Sequence, residues 1–245
     1  MRDRLIKEPR TVIPALDCPP ARAAEIARGC SSVALVRAVK LGAWKGTIRS
    51  GIDAYMQAIG PYLGDIEPIY DHQKGGTDIP DLEDSLPGLV DAGVHALILF
   101  PFGGCVTQRR WTKSAMDAGL TVIVGGHMTQ EGFLYSDGGY VHDEAPERIY
   151  RSAVGQGVRD FVVPGNQPGL VEKYKAIIED ELRVEGLPDE PFVLYAPGFV
   201  KQGGVISETG KVAGPLWHAI VGSALVNAED VEAVARDLTS QLSSA

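Results

Sequence analysis

His95-Ala96-Leu97-Ile98-Leu99-Phe100 is apolar at every position after the histidine. A strand with one wet face alternates apolar and polar residues. A strand covered on both faces does not need to, and reads as a continuous apolar run. The run therefore points to a parallel sheet with helices packed on its outer side. It is too short to span a membrane, which takes about 20 apolar residues, and even its extension from Ala96 to Phe102 fits a buried strand.

The same signal recurs on both sides of this run. Strands are expected at Thr11–Leu16, Val33–Val39, Ile66–Tyr70, His95–Phe100, Thr121–Val124, Asp160–Val163, Phe192–Ala196 and Ala219–Val221. Between and after them, stretches with helical periodicity are expected at Pro20–Arg28, Trp44–Ile59, Leu82–Ala92, Val106–Ala118, Ala145–Gln156, Leu170–Leu182, Glu208–Ala213 and Ala228–Leu242. Strand-then-helix alternation argues a parallel sheet. Eight repeats of it in 245 residues argue a (β/α)8 TIM barrel, which typically takes about 250. A doubly wound open sheet is the rival, weakened because no G-x-G-x-x-G follows the first strand. No linker rich in Pro, Gly or Ser interrupts the chain, so residues 1–245 are read as one domain. The longest connection, Gly125 to Glu144, has the length of a lid.

The formal net charge is −9 and no basic stripe stands out, which argues against nucleic acid and anionic membrane partners. Cys18, Cys30 and Cys105 show no metal-ligand spacing. They suggest reduced thiols in a cytosolic protein, with Cys18 and Cys105 serving as small hydrophobes. The charged start Met1-Arg2-Asp3-Arg4 lacks the apolar segment of a signal peptide.

Chemistry in such barrels gathers at the carboxyl ends of the strands. Those ends carry Asp17, Lys40, Asp71 with Lys74, the run His127-Met128-Thr129, Pro164-Gly165-Asn166, Pro197 to Gly204, and Gly222-Ser223. Tyr70-Asp71-His72-Gln73-Lys74-Gly75-Gly76-Thr77-Asp78 fences one lysine between carboxylates. Such crowding is expensive unless the charges satisfy one another, and active sites are where it recurs. Opposite it, the glycine-rich turns after strands seven and eight suit a phosphate held on backbone N–H groups, with Gln202 as a further donor. Each element alone also has a plain reading as loop surface. His127 reads as structural or solvated more readily than catalytic, and His72 and His218 show no plausible partner. Joint placement at one barrel mouth carries the inference.

These residues resemble the orotidine 5′-monophosphate decarboxylase family. The motifs are Ala15-Leu16-Asp17, Val39-Lys40-Leu41-Gly42, a stretched D-x-K-x-x-D-I at Asp71, Lys74 and Asp78-Ile79, the loop Pro197 to Gly204, and Ile220-Val221-Gly222-Ser223. The likeness is collinear from about residue 11 to the end. Three positions depart from the family pattern. The third-strand signature has an extra residue on each side of Lys74. Ser223 replaces the arginine that grips phosphate, leaving Lys201 as the nearest cation. Leu82 replaces a small hydroxyl residue.

The resemblance implies decarboxylation of a phosphorylated nucleotide with no cofactor and no metal. Lys40, Asp71, Lys74 and Asp78 would be catalytic. Asp17, Thr129, Pro197, Gln202, Gly203, Gly204, Gly222 and Ser223 would bind substrate. A homodimer would share Asp78 across its interface, and Phe199–Val205 and Gly126–Tyr140 would be the moving pieces. Two alternatives stay open. One is a Mg²⁺-dependent sugar-phosphate enzyme of the same barrel class, whose relatives place an acid where this chain has Lys40. The other is a non-catalytic binder of a phosphorylated ligand.

Overall fold

The computed structural model describes residues 4–42, 46–72 and 85–244. Lys74 and Asp78 lie outside the described residues, as does Leu82. Eight parallel strands close into a barrel in sequence order: β1 (Arg10–Leu16), β2 (Ala38–Gly42), β3 (Glu67–Asp71), β4 (Ala96–Leu99), β5 (Thr121–Gly125), β6 (Asp160–Val162), β7 (Val193–Pro197) and β8 (Trp217–Val221). Closure is made by β1 on β8, with Arg10 opposite Trp217 and Pro14 opposite Val221. The open-sheet rival is thereby excluded. Among the described residues, no helix is long and apolar enough to cross a membrane.

The helices are α1 (Pro20–Cys30), α2 (Ile48–Ser50), α3 (Ile52–Ile59), α4 (Leu86–Asp91), α5 (Cys105–Asp117), α6 (Ala145–Gly155), α7 (Pro168–Val184), α8 (Ile206–Ala213), α9 (Ser223–Val226) and α10 (Val231–Ser240). Proline opens α1 and α7, where its missing N–H leaves no hydrogen bond unmade. Asp230 caps α10 by accepting from the Ala233 N–H at 3.0 Å.

Two expected elements differ. The second strand was expected at Val33–Val39 and lies at Ala38–Gly42. Val33 and Val36 instead bond back in successive turns, Val33 N–H to Cys30 O and Val36 N–H to Val33 O, and bury their side chains in the layer between barrel and helices. The apolar character of this run comes from a packed turn rather than a strand. The helix expected over Trp44–Ile59 is broken at Gly51, whose φ of +76° lies outside the helical region; residues 44 and 45 of that stretch are outside the described residues.

Side chains alternate across each strand, and that alternation positions the site. Ile13, Ala15, Ala38, Ile69, Ala96, Ile98, Phe100, Ile123, Val162, Val193, Tyr195 and Ile220 fill the barrel interior. Ile6 joins the same cluster from the segment before β1. A larger cluster, including Leu16, Leu41, Leu97, Trp111, Phe161 and Trp217, fills the space under the helices. The long connection between β5 and α6 carries local structure of its own. It holds a 3₁₀ turn at Tyr135–Asp137, a bridge between Leu134 and Val141, and a buried Phe133.

Candidate active site

Step two residues along β1 from Ala15 and the next inward position is Asp17. The same step from Ala38 on β2 reaches Lys40, and from Ile69 on β3 it reaches Asp71. Asp17 and Asp71 therefore cap apolar interior columns at the carboxyl ends of β1 and β3, and Lys40 follows Ala38 on β2 with Gly42 beyond it. The register sets Lys40 one interior step below its partners: it pairs with Ala15 and Ile69, while Gly42, two residues further along β2, pairs with Asp71.

Lys40 Nζ lies 2.7 Å from Asp71 Oδ2, and 3.3 and 3.5 Å from the two oxygens of Asp17. Lys40 and Asp71 are 7% and 6% exposed, so the ammonium sits in a largely dry place. Burial works against its charge, but the Asp71 and Asp17 carboxylates outweigh it and hold the Lys40 value above that of an ordinary lysine. Gly42 makes this convergence possible. A Cβ there would stand 1.8 Å from Asp17 Oδ1, far closer than carbon and oxygen can approach without a bond.

The three charged residues line one side of a cavity of about 270 Å³. Ile98, Phe100, Val162 and Ile220 make its apolar floor. Thr129, with His127 and Met128, lines it from the loop after β5. Pro197, Gly198, Phe199, Lys201 and Gln202 line it from the loop after β7, and Gly222 and Ser223 from the end of β8. The expected residues Asp17, Lys40, Asp71, Thr129, Pro197, Gln202, Gly222 and Ser223 are thus brought to one cavity. Gly203 and Gly204 are not among its lining residues. Their amides bond Val200 O and Gly198 O, at 3.1 Å each, and shape the turn itself. In the same turn Val200 has a φ of +66°, a left-handed conformation that β-branched residues rarely adopt.

Four expectations change in detail. His218 has a partner: its Nδ1 is 2.9 Å from Thr11 Oγ1, and its ring lies against Tyr195 in the barrel interior. His72 packs its ring against Tyr70 and edge-on to Trp111. Cys105 is exposed at the start of α5 and so is no core hydrophobe, whereas Cys18 and Cys30 are buried; all three thiols are free. His127 is 5% exposed, bonds Tyr174 and lines the cavity, so the structural reading holds and the solvated one does not. The sequence signal for His127 was its place directly after a strand end; its partner, Tyr174, is 47 residues away in the chain. The signal for the apolar floor in the sequence is the strand alternation that turns Ile98, Phe100, Val162 and Ile220 inward.

Among the described residues, no group of three or more His, Cys, Asp or Glu side chains is placed to hold a metal ion. A larger cavity of about 580 Å³ opens between α5 and α6 beside Phe102, Gln108, Val141 and Ile149. Its lining residues include Arg148 and Arg151 and no carboxylate, and it stands apart from the strand-end charges.

In (β/α)8 barrels the carboxyl-end mouth, where this chain sets paired charges over an apolar floor, is the place that small-molecule sites occupy. No family model matches the chain, and no curated protein matches it. Solved structures do. The orotidine 5′-monophosphate decarboxylase of Methanocaldococcus jannaschii, in complex with the inhibitor BMP, superposes with a TM-score of 0.78 at 20% identity, covering 95% of this chain and 98% of that one. The orotidine 5′-phosphate decarboxylase of Pyrococcus horikoshii gives 0.75 at 20% identity, with 95% and 99% covered. Leishmania donovani UMP synthase gives 0.69 at 18%, covering 95% of this chain and 53% of that one. The chain has the fold of the orotidine 5′-monophosphate decarboxylases.

Proposed function

We propose that this protein is a divergent orotidine 5′-monophosphate decarboxylase that converts its substrate to uridine 5′-monophosphate without a cofactor. The observation that carries the reading is the Lys40 ammonium held 2.7 Å from Asp71 and 3.3 Å from Asp17 at the barrel mouth. The sequence motifs and the fold of the solved decarboxylases support it independently.

Loss of CO2 from C6 of the base breaks the C6–carboxyl bond and leaves its electron pair on C6. That pair has no adjacent sink, so fixed positive charge aimed at the carbon must stabilise it. Lys74 is the proposed group: its ammonium meets the developing carbanion, then transfers a proton to C6 to complete the product. Asp71 and Asp78 keep Lys74 charged. Asp71 also stands near the substrate carboxylate. Lys40 balances Asp71 and reaches the ribose, whose hydroxyls Asp17 accepts from. Lys201, Gln202 and Ser223 meet the phosphate. Its binding energy draws the loop after β7 over the site, a route by which a remote group lowers the barrier. Val200's left-handed conformation puts backbone strain in that loop, which supports a functional role for it. The proposed assembly is a homodimer in which Asp78 crosses the interface.

Lys40 also weighs against the Mg²⁺-dependent reading, since a buried ammonium at that position repels a divalent cation. The test is to mix the protein with orotidine 5′-monophosphate in the presence of EDTA and follow pyrimidine absorbance and CO2 release. Turnover supports the proposal. Binding without turnover leaves a phosphorylated-ligand binder, and activity abolished by EDTA restores the metal reading.

A further inference from the structure

His127 and Tyr174 form a buried pair that the reaction above does not use. His127 follows β5, which stands four strands from β1 around the closed barrel. It therefore lines the cavity from the wall opposite Asp17. Its Nδ1 lies 2.6 Å from Tyr174 Oη on α7, and its ring centroid lies 5.0 Å from that of Phe133 and 5.7 Å from that of Tyr174.

Tyr174 is 1% exposed, so its hydroxyl hydrogen needs an acceptor inside the protein. Among the described residues, His127 Nδ1 is that acceptor. The hydroxyl therefore donates to Nδ1, Nδ1 carries no proton, and the neutral imidazole carries its hydrogen on Nε2. Burial holds His127 below the ordinary histidine value, which keeps the ring neutral at pH 7. Phe133 and Tyr174 fix the ring plane. What remains for the cavity is one oriented N–H donor beside an apolar floor, where a hydrogen bond is screened little by water.

We propose that the His127 Nε2–H is a specificity-determining donor that reads a ring carbonyl on the base of the bound nucleotide and so selects keto over amino pyrimidines, with Tyr174 as the residue that positions it. This rests on the nucleotide reading above. An amino group at the same place would set donor against donor. A site built around a hydrogen bond rejects the analogue that cannot make it far more strongly than a purely apolar pocket does.

Two measurements test it. The first is the ¹⁵N spectrum of the wild-type His127 ring at neutral pH: the Nε2–H tautomer is expected, and Nδ1–H overturns the proposal. The second is calorimetric binding of uridine and cytidine 5′-monophosphates. Wild type is expected to favour the uridine nucleotide by about tenfold or more, the worth of one hydrogen bond of about 1.4 kcal/mol. The double variant His127→Phe/Tyr174→Phe removes both members of the pair and keeps an apolar fill, so the fold is preserved. In it the preference is expected to fall to within about threefold, with uridine nucleotide binding weakened and cytidine nucleotide binding little changed. A preference unchanged by the double substitution overturns the role of His127 while leaving the nucleotide site standing. Failure of the wild type to bind either nucleotide overturns both.

Discussion

At the scale of single residues, Lys40 is the most constrained group in the site. Its 2.7 Å bond to Asp71 is made where both side chains are under 10% exposed. Removing one member of such a pair strands the other charge in a dry place. Asp71→Asn is therefore expected to destabilise the protein by on the order of 3 kcal/mol. Urea unfolding at neutral pH measures it, and a change below about 1 kcal/mol would contradict the dry-pair account. The pH dependence has a definite sign. The folded value of Lys40 is raised, so its contribution is complete below the unfolded lysine value near 10.4 and is lost as pH rises through the higher folded value. The gap between wild type and Asp71→Asn should hold from neutral to about pH 10 and shrink above it. Gly42→Ala should displace Asp17 and impair the site while Lys40 and Asp71 stay paired. Asp17, Lys40 and Asp71 were legible in the sequence because each follows an apolar strand column. Tyr174 as the partner of His127 was not, since only tertiary packing of α7 on the β5 end brings them together.

Elements show where sequence pattern succeeds and where it does not. The runs that became β1, β4 and β5 were read to within about two residues at each end, because both faces of those strands are buried and composition alone reveals them. The second strand slipped by several residues because Val33 and Val36 are apolar for a different reason, burial of a turn under the helices. Without that slip corrected, Lys40 reads as the residue just past the strand; in the barrel it is the third residue of β2, paired on both sides. The loop after β7 carried a recognisable pattern, yet its hydrogen bonds were not visible in it. The amides of Gly203 and Gly204 close the turn, which leaves Lys201 and Gln202 facing the cavity. Gln202→Ala is accordingly expected to raise KM for the nucleotide about tenfold with a smaller effect on kcat. Steady-state kinetics would remove Gln202 from the phosphate site by returning an unchanged KM.

For the whole molecule, the barrel interior divides into two polar zones separated by an apolar layer. The upper zone is the site. The lower one holds Thr11, Asp160, Tyr195 and His218, with Tyr195 Oη bonded to Asp160 at 3.1 Å. Burial, with Arg4 adding to it, pushes His218 down to about 3. The unfolded chain therefore takes up this proton near pH 6.5 while the folded chain resists it, and stability present above 6.5 is lost as pH falls toward 3. His218→Gln should flatten that part of the stability profile; an unaltered slope would take His218 out of it. Neither the zone nor its pH consequence was legible in the sequence, because its members come from four different strands. The fold as a whole was legible, because eight repeats of one local pattern leave few ways to close.

The central claim concerns a lysine flanked by acids and aimed at an incipient carbanion. The most direct measurement is single-turnover decarboxylation of orotidine 5′-monophosphate by wild type and Lys74→Ala, with the assembly state of both checked in solution. The account expects turnover by the wild type and a loss of at least about 10³-fold in the variant, the scale of removing a main electrostatic stabiliser, with an unchanged folded dimer. Near-wild-type turnover by Lys74→Ala, or none by the wild type, would contradict it.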